Sequence, residues 1–391
     1  MRKLIAARIT KALTVFAILA AGALLAPGAL AAPATSTLAS VVNAANVFTS
    51  RVFASGKLMH PGPKGQEPIS QPDDITSLGG HIFVTFQDGV GPQGEASPTG
   101  NRDSTIVEFN LHGHVVDRWD VVGKCDGLTA DPATGRIIAT VNEDAHSSLY
   151  LIDPAIGSHP VHYRYATALP SHGGTDAIEL YHGMILISAS APGTTGSPAP
   201  QPTYPAVYRV ALDAKRQVAT IHGLFSDEAS AKVANTSGAQ AGRRLRLGLT
   251  DPDSNEDVPS FADRFAGDFM LTSQGDKEQI FVSDAGGAHQ TMSALKLSDS
   301  VDDTAWPSDH SGALYATNGS NTTIERITGP FTRGSVLVAD TPCDASGAPS
   351  TCPGPGFPQN YLGELNPNTG LITPVTVHGA GVAPKGMVFL P

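Results

Sequence analysis

Asp126-Gly127-Leu128-Thr129-Ala130-Asp131-Pro132-Ala133-Thr134-Gly135-Arg136-Ile137-Ile138 is an acid, a short apolar run, a five-residue turn and a second apolar run. Asp-Pro at the head of the turn and Gly at its end are turn chemistry, and the β-branched residues after it suit a strand. The opening words of this phrase recur as Pro72-Asp73-Asp74-Ile75, Gly174-Thr175-Asp176-Ala177-Ile178, Ala266-Gly267-Asp268-Phe269 and Val301-Asp302-Asp303-Thr304-Ala305. Pro384-Lys385-Gly386-Met387 is a related phrase without the acid. A second apolar run follows most of them, as at His81 to Phe86, Arg136 to Val141 and Ala313 to Thr317. The first three units recur at about fifty residues, close to the longer propeller repeats. One small sheet cannot bury both of its faces alone, so repeated sheets of this kind must stack on one another around an axis.

The fold expected is therefore all-β: a single β-propeller of six blades, with five or seven left open because the units after residue 225 are irregular. The frequent glycine (41) and proline (30) favour many short strands joined by turns. The closing run Gly386 to Leu390 has no partner after it. The segment Val47 to Leu58 is expected to complete that blade, so that N- and C-terminal strands close the ring. The rhythm breaks between about 225 and 265, which reads as an insertion. It carries a helix over Asp227 to Ala234, a basic cluster (Arg243, Arg244, Arg246) and an acidic run, Asp251 to Asp257. Further units are expected to open at Asp268 to Ser273 and at Asp303 to Trp306, the latter continuing through Ala313 to Thr317, Thr323 to Thr328 and Ser335 to Ala339.

Residues 1–32 read as a signal peptide. Arg2, Lys3, Arg8 and Lys11 precede the apolar stretch Ala12 to Leu25, and Ala29-Leu30-Ala31 offers a cleavage site near Ala31 or Ala32. The expectation is a secreted or periplasmic protein, with no stable membrane insertion once the leader is removed. Losing those four basic residues takes the formal charge from −11 to −15. An acidic surface of this kind repels nucleic acid and anionic lipid. In an oxidising compartment Cys343 and Cys352, flanking a Pro/Gly/Ser-rich loop, are expected to form a local disulfide. Cys125 then remains as a buried, small apolar side chain.

The phrases at 126–138 and 384–387 resemble blade openings of secreted bacterial propellers, in the broad company of gluconolactonase-like, NHL-repeat and lyase-type propellers. The resemblance spans most of residues 45 to 391 and announces blades rather than chemistry. In gluconolactonase-like enzymes a divalent cation sits at the top of the channel on an early Glu, two Asn and an Asp. That full set is not matched position by position in this sequence.

Innermost propeller strands start at one mouth of the channel, so the acids heading them should converge there. Asp74, Asp126, Asp176, Asp268 and Asp303 are the expected ring. Crowded carboxylates call for a counter-charge, and a hard cation such as Ca²⁺ or Mg²⁺ fits them. The alternative is structural, with each Asp accepting backbone N–H bonds of its own turn. Asp251 to Asp257 places oxygen donors at every second position, as a calcium loop does, but has Glu256 at the sixth position and Ala262 at the twelfth. It reads instead as a solvated acidic loop.

His172 and Glu143, close to the same mouth, are the candidates for moving a proton. No Gly-x-Ser-x-Gly elbow, His-Glu-x-x-His helix, phosphate loop or dinucleotide fingerprint is present in the sequence. The long loops Gln87 to Arg102 and Ala191 to Pro205 suit recognition of a small molecule, glycan or protein at the rim of a monomer. Two functions stay open at this point. One is an extracytoplasmic binding or interaction propeller, and the other a metal-dependent hydrolase or lyase acting on a small ester, lactone or sugar derivative.

Overall fold

Alternation in the second run of each unit is what the fold is built on. In Arg136–Val141, Ile137, Ala139 and Val141 face one neighbouring sheet and Ile138 faces the other, because successive side chains of a strand point to opposite sides. Both faces are buried, so the run is apolar apart from Arg136 at its start and Thr140, whose hydroxyl is hydrogen-bonded. The computed structural model describes residues 47–55, 57–157, 159–169, 174–192, 203–343 and 360–391. Residues 44–391 form one unit, and the separate unit 1–43, with the expected leader, lies outside the described residues.

The described residues are all-β, with a single 3-10 turn at Pro154–Ile156. A four-stranded meander runs Pro72–Leu78, His81–Phe86, Asp103–Asn110, Val115–Val122. Two further meanders share an eight-stranded sheet. One is Cys125–Asp131, Arg136–Val141, Ser148–Ile152, Val161–Tyr165, and the other is Ile178–Tyr181, Met184–Ser188, Pro205–Asp213, Val218–Ser226. Their outer edges join through the parallel pairs Arg164 with Val218 and Tyr165 with Ala219.

Three of the remaining sheets join strands that are not consecutive in sequence. The next is ordered Pro252–Asp257, Phe269–Ser273, Glu278–Ser283, Thr291–Lys296, Ser230–Val233, Arg244–Arg246. Val301–Ala305 pairs with Val336–Asp340, followed by Tyr361–Leu365 and Ile372–Pro374. The last sheet is ordered Pro384–Leu390, Ala313–Asn318, Thr323–Thr328, Phe48–Ser55, Val377–Gly379. The first described strand and the last thus share one sheet.

The first-named strand of each meander or sheet contacts the first-named strand of the next, and Pro384–Leu390 returns to Pro72–Leu78. Apolar clusters fill the spaces between successive sheets. Phe83, Ile106 and Trp119 pack on Ile137 and Ile152; Leu186 and Val207 pack on Phe269 and Ile280; Tyr315 and Ile324 pack on Ile82 and Phe86. Each fully buried Ile, Leu or Phe contributes about 1.5–3 kcal/mol, so cohesion is spread around the axis. The arrangement is propeller-like.

Four expectations are corrected. The helix at Asp227 to Ala234 is instead the strand Ser230–Val233, because Ala231 and Val233 are buried while Ser230 and Lys232 are exposed, a period of two. The acidic run Asp251 to Asp257 is not a solvated loop but the axis-facing strand Pro252–Asp257. Phe269–Ser273 is consequently the second strand of its sheet rather than the opening one. Finally, Ala313–Asn318 and Thr323–Thr328 belong to the last sheet and not to that of Asp303, since Ala313–Asn318 finds its partner in Pro384–Leu390.

Cys125 is buried and free, as expected, and Cys343 is disulfide-bonded. Cys352 and His172 lie outside the described residues.

Candidate functional site

A bulge recurs where the innermost strands begin. Pro72 pairs with Phe86 and Ile75 with Val84, so three steps on one strand match two on the other. The same offset separates Cys125 from Leu128, Pro252 from Asn255, Val301 from Thr304, and Pro384 from Met387. A bulge re-aims the side chains it carries. Here it presents Asp73, Asp126, Asp253, Asp302 and Lys385 at the axis, and Asp176 holds the corresponding place ahead of Ile178–Tyr181. These residues line one cavity of about 160 Å³.

Bulging costs ladder hydrogen bonds, and a hydroxyl on the second strand replaces them. Thr85 Oγ1 accepts from Asp74 N (3.0 Å) and Thr140 Oγ1 from Gly127 N (3.0 Å). Thr140 also donates to the Asp176 carbonyl, Ser188 to the Asp253 carbonyl (3.1 Å) and Thr317 to the Asp73 carbonyl. Each of these donations reaches the axis-facing residue of the next meander or sheet. Thr140→Val keeps the shape but strands a buried N–H, so it is expected to cost ~1–3 kcal/mol in a urea denaturation. A loss under a few tenths would show that the bulge stands without the hydroxyl.

Of the sequence-predicted acids, Asp74, Asp126, Asp176 and Asp303 come together in this cavity, and Asp268 does not. Asp268 precedes a second strand, and Asp253 takes its place on the innermost strand. Asp74 and Asp303 act as braces. Asp74 Oδ1 accepts from Ile75 N (2.7 Å) and Oδ2 from Leu128 N of the next sheet (2.6 Å). Asp303 accepts from Thr304 N (2.6 Å) and from Met387 N, again across sheets. The structural alternative thus describes these two well.

Ten carboxylates and two lysines line the cavity. Sequence reasoning missed Asp73, Lys124, Glu179, Asp253, Glu256, Asp302 and Lys385. The doubled acids Asp73-Asp74 and Asp302-Asp303 were the available signal, one residue for the axis and one for the brace.

One side of the cavity is internally paired. Lys385 bonds Asp73, Gln87 Nε2 bridges Asp73 Oδ2 (2.7 Å) and Asp126 Oδ1 (2.8 Å), and Lys124 Nζ lies 2.8 Å from Asp126 Oδ1 and bonds Glu143. Asp126 Oδ2 and Asp253 Oδ2 accept no hydrogen bond. Burial raises Asp126 well above the ordinary carboxylate range even though Lys124 pulls it down. Asp176 is raised by burial and then by Glu143 and Asp126, and Asp253 by burial and then by Asp302 and Asp176. Burial, helped by Asp257, pushes Glu179 up to about 7. Asp303 also reaches about 7, raised by burial against the bonds it accepts. Burial disfavours the ammonium of Lys124, yet Asp126, Glu143 and Asp73 hold its pKa above the usual lysine value.

Within this crowd Asp126, Glu143 and Asp176 each offer an oxygen within 4.8 Å of the other two. Asp126 is only 6 % exposed. Three carboxylates at that spacing can converge on a hard cation, whose oxygen ligands lie at about 2.3–2.6 Å for Ca²⁺.

The fold and the cavity define a propeller-like, all-β chain with an acidic axial pocket. No family model matches the chain, and no curated protein matches it in sequence. Solved structures resemble it at low identity. A protein of unknown function from Bacteroides caccae is 10 % identical, covering 88 % of this chain and 99 % of that one, with a TM-score of 0.46. The periplasmic gluconolactonase of Pseudomonas aeruginosa is 11 % identical, covering 84 % and 91 %, with a TM-score of 0.41. The glutaminyl cyclase of Myxococcus xanthus is 10 % identical, covering 72 % and 97 %, with a TM-score of 0.31. Among the described residues no helix is long and apolar enough to cross a membrane.

Proposed function

We propose that the chain is an exported, six-bladed β-propeller, closed by its N- and C-terminal strands, that binds a hard divalent cation in its axial pocket. Through that ion it holds an oxygen-rich small molecule or glycan presented at the rim. The observation that carries the reading is the Asp126–Glu143–Asp176 cluster, with its buried and unpartnered Asp126 Oδ2, inside a pocket where carboxylates outnumber lysines ten to two. Carboxylates packed this closely stay ionised only beside a compensating charge. Ca²⁺ or Mg²⁺ supplies it with oxygen chemistry alone.

A second reading, metal-dependent hydrolysis or lysis of a small ester, lactone or sugar derivative, shares the same ion. Glu143 favours it, because at 23 % side-chain exposure it is far more open than Asp126 and can meet a ligand. Export through a leader at 1–32 is part of the proposal, and N-terminal sequencing of the secreted protein should begin just after Ala31 or Ala32.

Calorimetric titration of the mature protein with Ca²⁺ and Mg²⁺, paired with thermal melts in EDTA and after add-back, tests the ion. Saturable binding and a raised melting temperature are expected. Asp176→Asn should weaken binding by roughly a hundredfold or more while keeping the fold, since it removes one of few charged ligands. No bound ion and no shift on add-back would end the cation reading. Turnover of lactones or esters lost in Glu143→Gln, with ion affinity kept within a few fold, would select the enzyme.

A further inference from the structure

We propose that Lys124 is a tethered counter-ion that occupies the cation cluster in the metal-free protein and is displaced when the divalent ion enters. The inference rests on the cation reading above and adds how that site is regulated.

Lys124 stands two residues before Asp126, at the entry to the inner strand Cys125–Asp131. Its backbone is pinned on both sides by Asn142: Lys124 N donates to Asn142 Oδ1 (2.9 Å), and Asn142 N donates to Lys124 O (2.7 Å). Only the side chain is free to move. Its ammonium lies 2.8 Å from Asp126 Oδ1 and bonds Glu143 Oε1, so it sits on two of the three carboxylates of the cluster. Its side chain is 16 % exposed, which places the amine inside the pocket rather than in solvent. Lys385, the other lysine of the cavity, pairs with Asp73 and stands on none of the three.

An ion held by oxygens within 4.8 Å of one another must lie within a few ångströms of any ammonium bonded to them. Repulsion between a dication and an ammonium at such separation, in a buried setting, is large. This holds even for an ion that takes the unpartnered Asp126 Oδ2. The flexible four-carbon stem lets the ammonium swing to the pocket mouth and regain water. Ion binding is therefore an exchange of cations. The empty pocket keeps part of its negative charge compensated, and affinity for the ion is lower than the carboxylates alone would give.

The test uses the mature chain and Ca²⁺ as probe. Calorimetric titration compares wild type, Lys124→Met and Lys385→Met. Acylation of lysines followed by peptide mass mapping compares wild type with and without Ca²⁺. Lys124→Met should bind Ca²⁺ about tenfold tighter than wild type or better, a difference of ~1.4 kcal/mol, and tighter than Lys385→Met. Labelling of Lys124 should rise several-fold on adding Ca²⁺ while that of Lys385 does not. Equal or weaker binding by Lys124→Met, or labelling of Lys124 that stays level or falls while the wild type still binds Ca²⁺, overturns the displacement. Absence of Ca²⁺ binding in all three proteins overturns the cation reading, and the displacement with it. Should Lys124→Met fail to fold, the labelling of wild type decides alone.

Discussion

Freed of divalent ions, the protein is expected to be more stable at pH 5 than at pH 7.5, with a melting temperature higher by on the order of 10 °C. Four buried carboxyls carry the expectation. Asp303 and Glu179 in the axial pocket, and Asp88 and Asp340 outside it, are each pushed up to about 7. Burial is the first cause for all four. Asp257 adds to it at Glu179, Asp120 at Asp88 and Asp299 at Asp340, while the bonds Asp303 accepts only moderate the rise.

An acid with a raised folded value holds its proton in the folded state over a range where the unfolded chain has already lost it. Stability then falls as pH rises, beginning near the unfolded values of 3.8 to 4.5 and levelling off above about 7. A displacement of ~3 units amounts to ~4 kcal/mol for one isolated group. Coupling between neighbours makes the sum smaller than four such terms, and ~5 kcal/mol across the window is the expected scale. Thermal melts in EDTA from pH 4.5 to 8 check the sign. A flat profile, or one that climbs with pH, would mean these carboxyls are ionised and compensated in the folded state. Saturating Ca²⁺ at pH 7.5 should recover part of the loss, because binding to the folded state alone adds stability.

Gly127→Val is expected to cost ~3 kcal/mol or more, and to weaken Ca²⁺ binding at least tenfold in the molecules that still fold. A Cβ at Gly127 would lie 2.5 Å from Thr140 Oγ1, 2.6 Å from the Asp176 carbonyl oxygen and 2.8 Å from Ala177 Cα. Two of those three are backbone atoms at the head of the neighbouring meander, which cannot turn aside. The two meanders must part at the axis, and that motion carries Asp126 away from Asp176. Gly386 faces the same limit against the Asp73 carbonyl oxygen at 2.6 Å and Asp74 Cα at 2.9 Å. At Gly381 a Cβ meets nothing within 4 Å, so Gly381→Ala serves as the control. Urea denaturation of the two variants reads the order, and a Gly127→Val as stable as the control would show the axis to be loosely packed.

The phrase that betrays the fold in the sequence is an acid followed by an apolar run, and it located the innermost strands wherever the run was apolar. Pro252–Asp257 escaped because its axis-facing place tolerates Asp253, Asn255 and Glu256, which read as a solvated loop. Asp268 was drawn in because Gly267-Asp268-Phe269 imitates the phrase at the head of a second strand. The exchange between the last two sheets was equally illegible. Local pairing of Ala313–Asn318 with the strand before it is the shorter closure, whereas the observed partner is Pro384–Leu390. The site itself was half visible: Asp74, Asp126, Asp176 and Asp303 were named, but the division into axis-facing and bracing acids depends on a bulge that only the doubled acids Asp73-Asp74 and Asp302-Asp303 hint at, and Asp126 and Asp253 carry no such pair.

The strand Phe48–Ser55 lies between Thr323–Thr328 and Val377–Gly379. It leaves the ribosome more than 250 residues ahead of its two neighbours. Throughout synthesis it must wait with unpaired edges, the kind of surface on which chains aggregate. Completion of the molecule is accordingly a late, long-range event, slow by its topology. Any polypeptide interrupted before residue 323 emerges with its first strand unclaimed and offers quality-control proteases a ready handle.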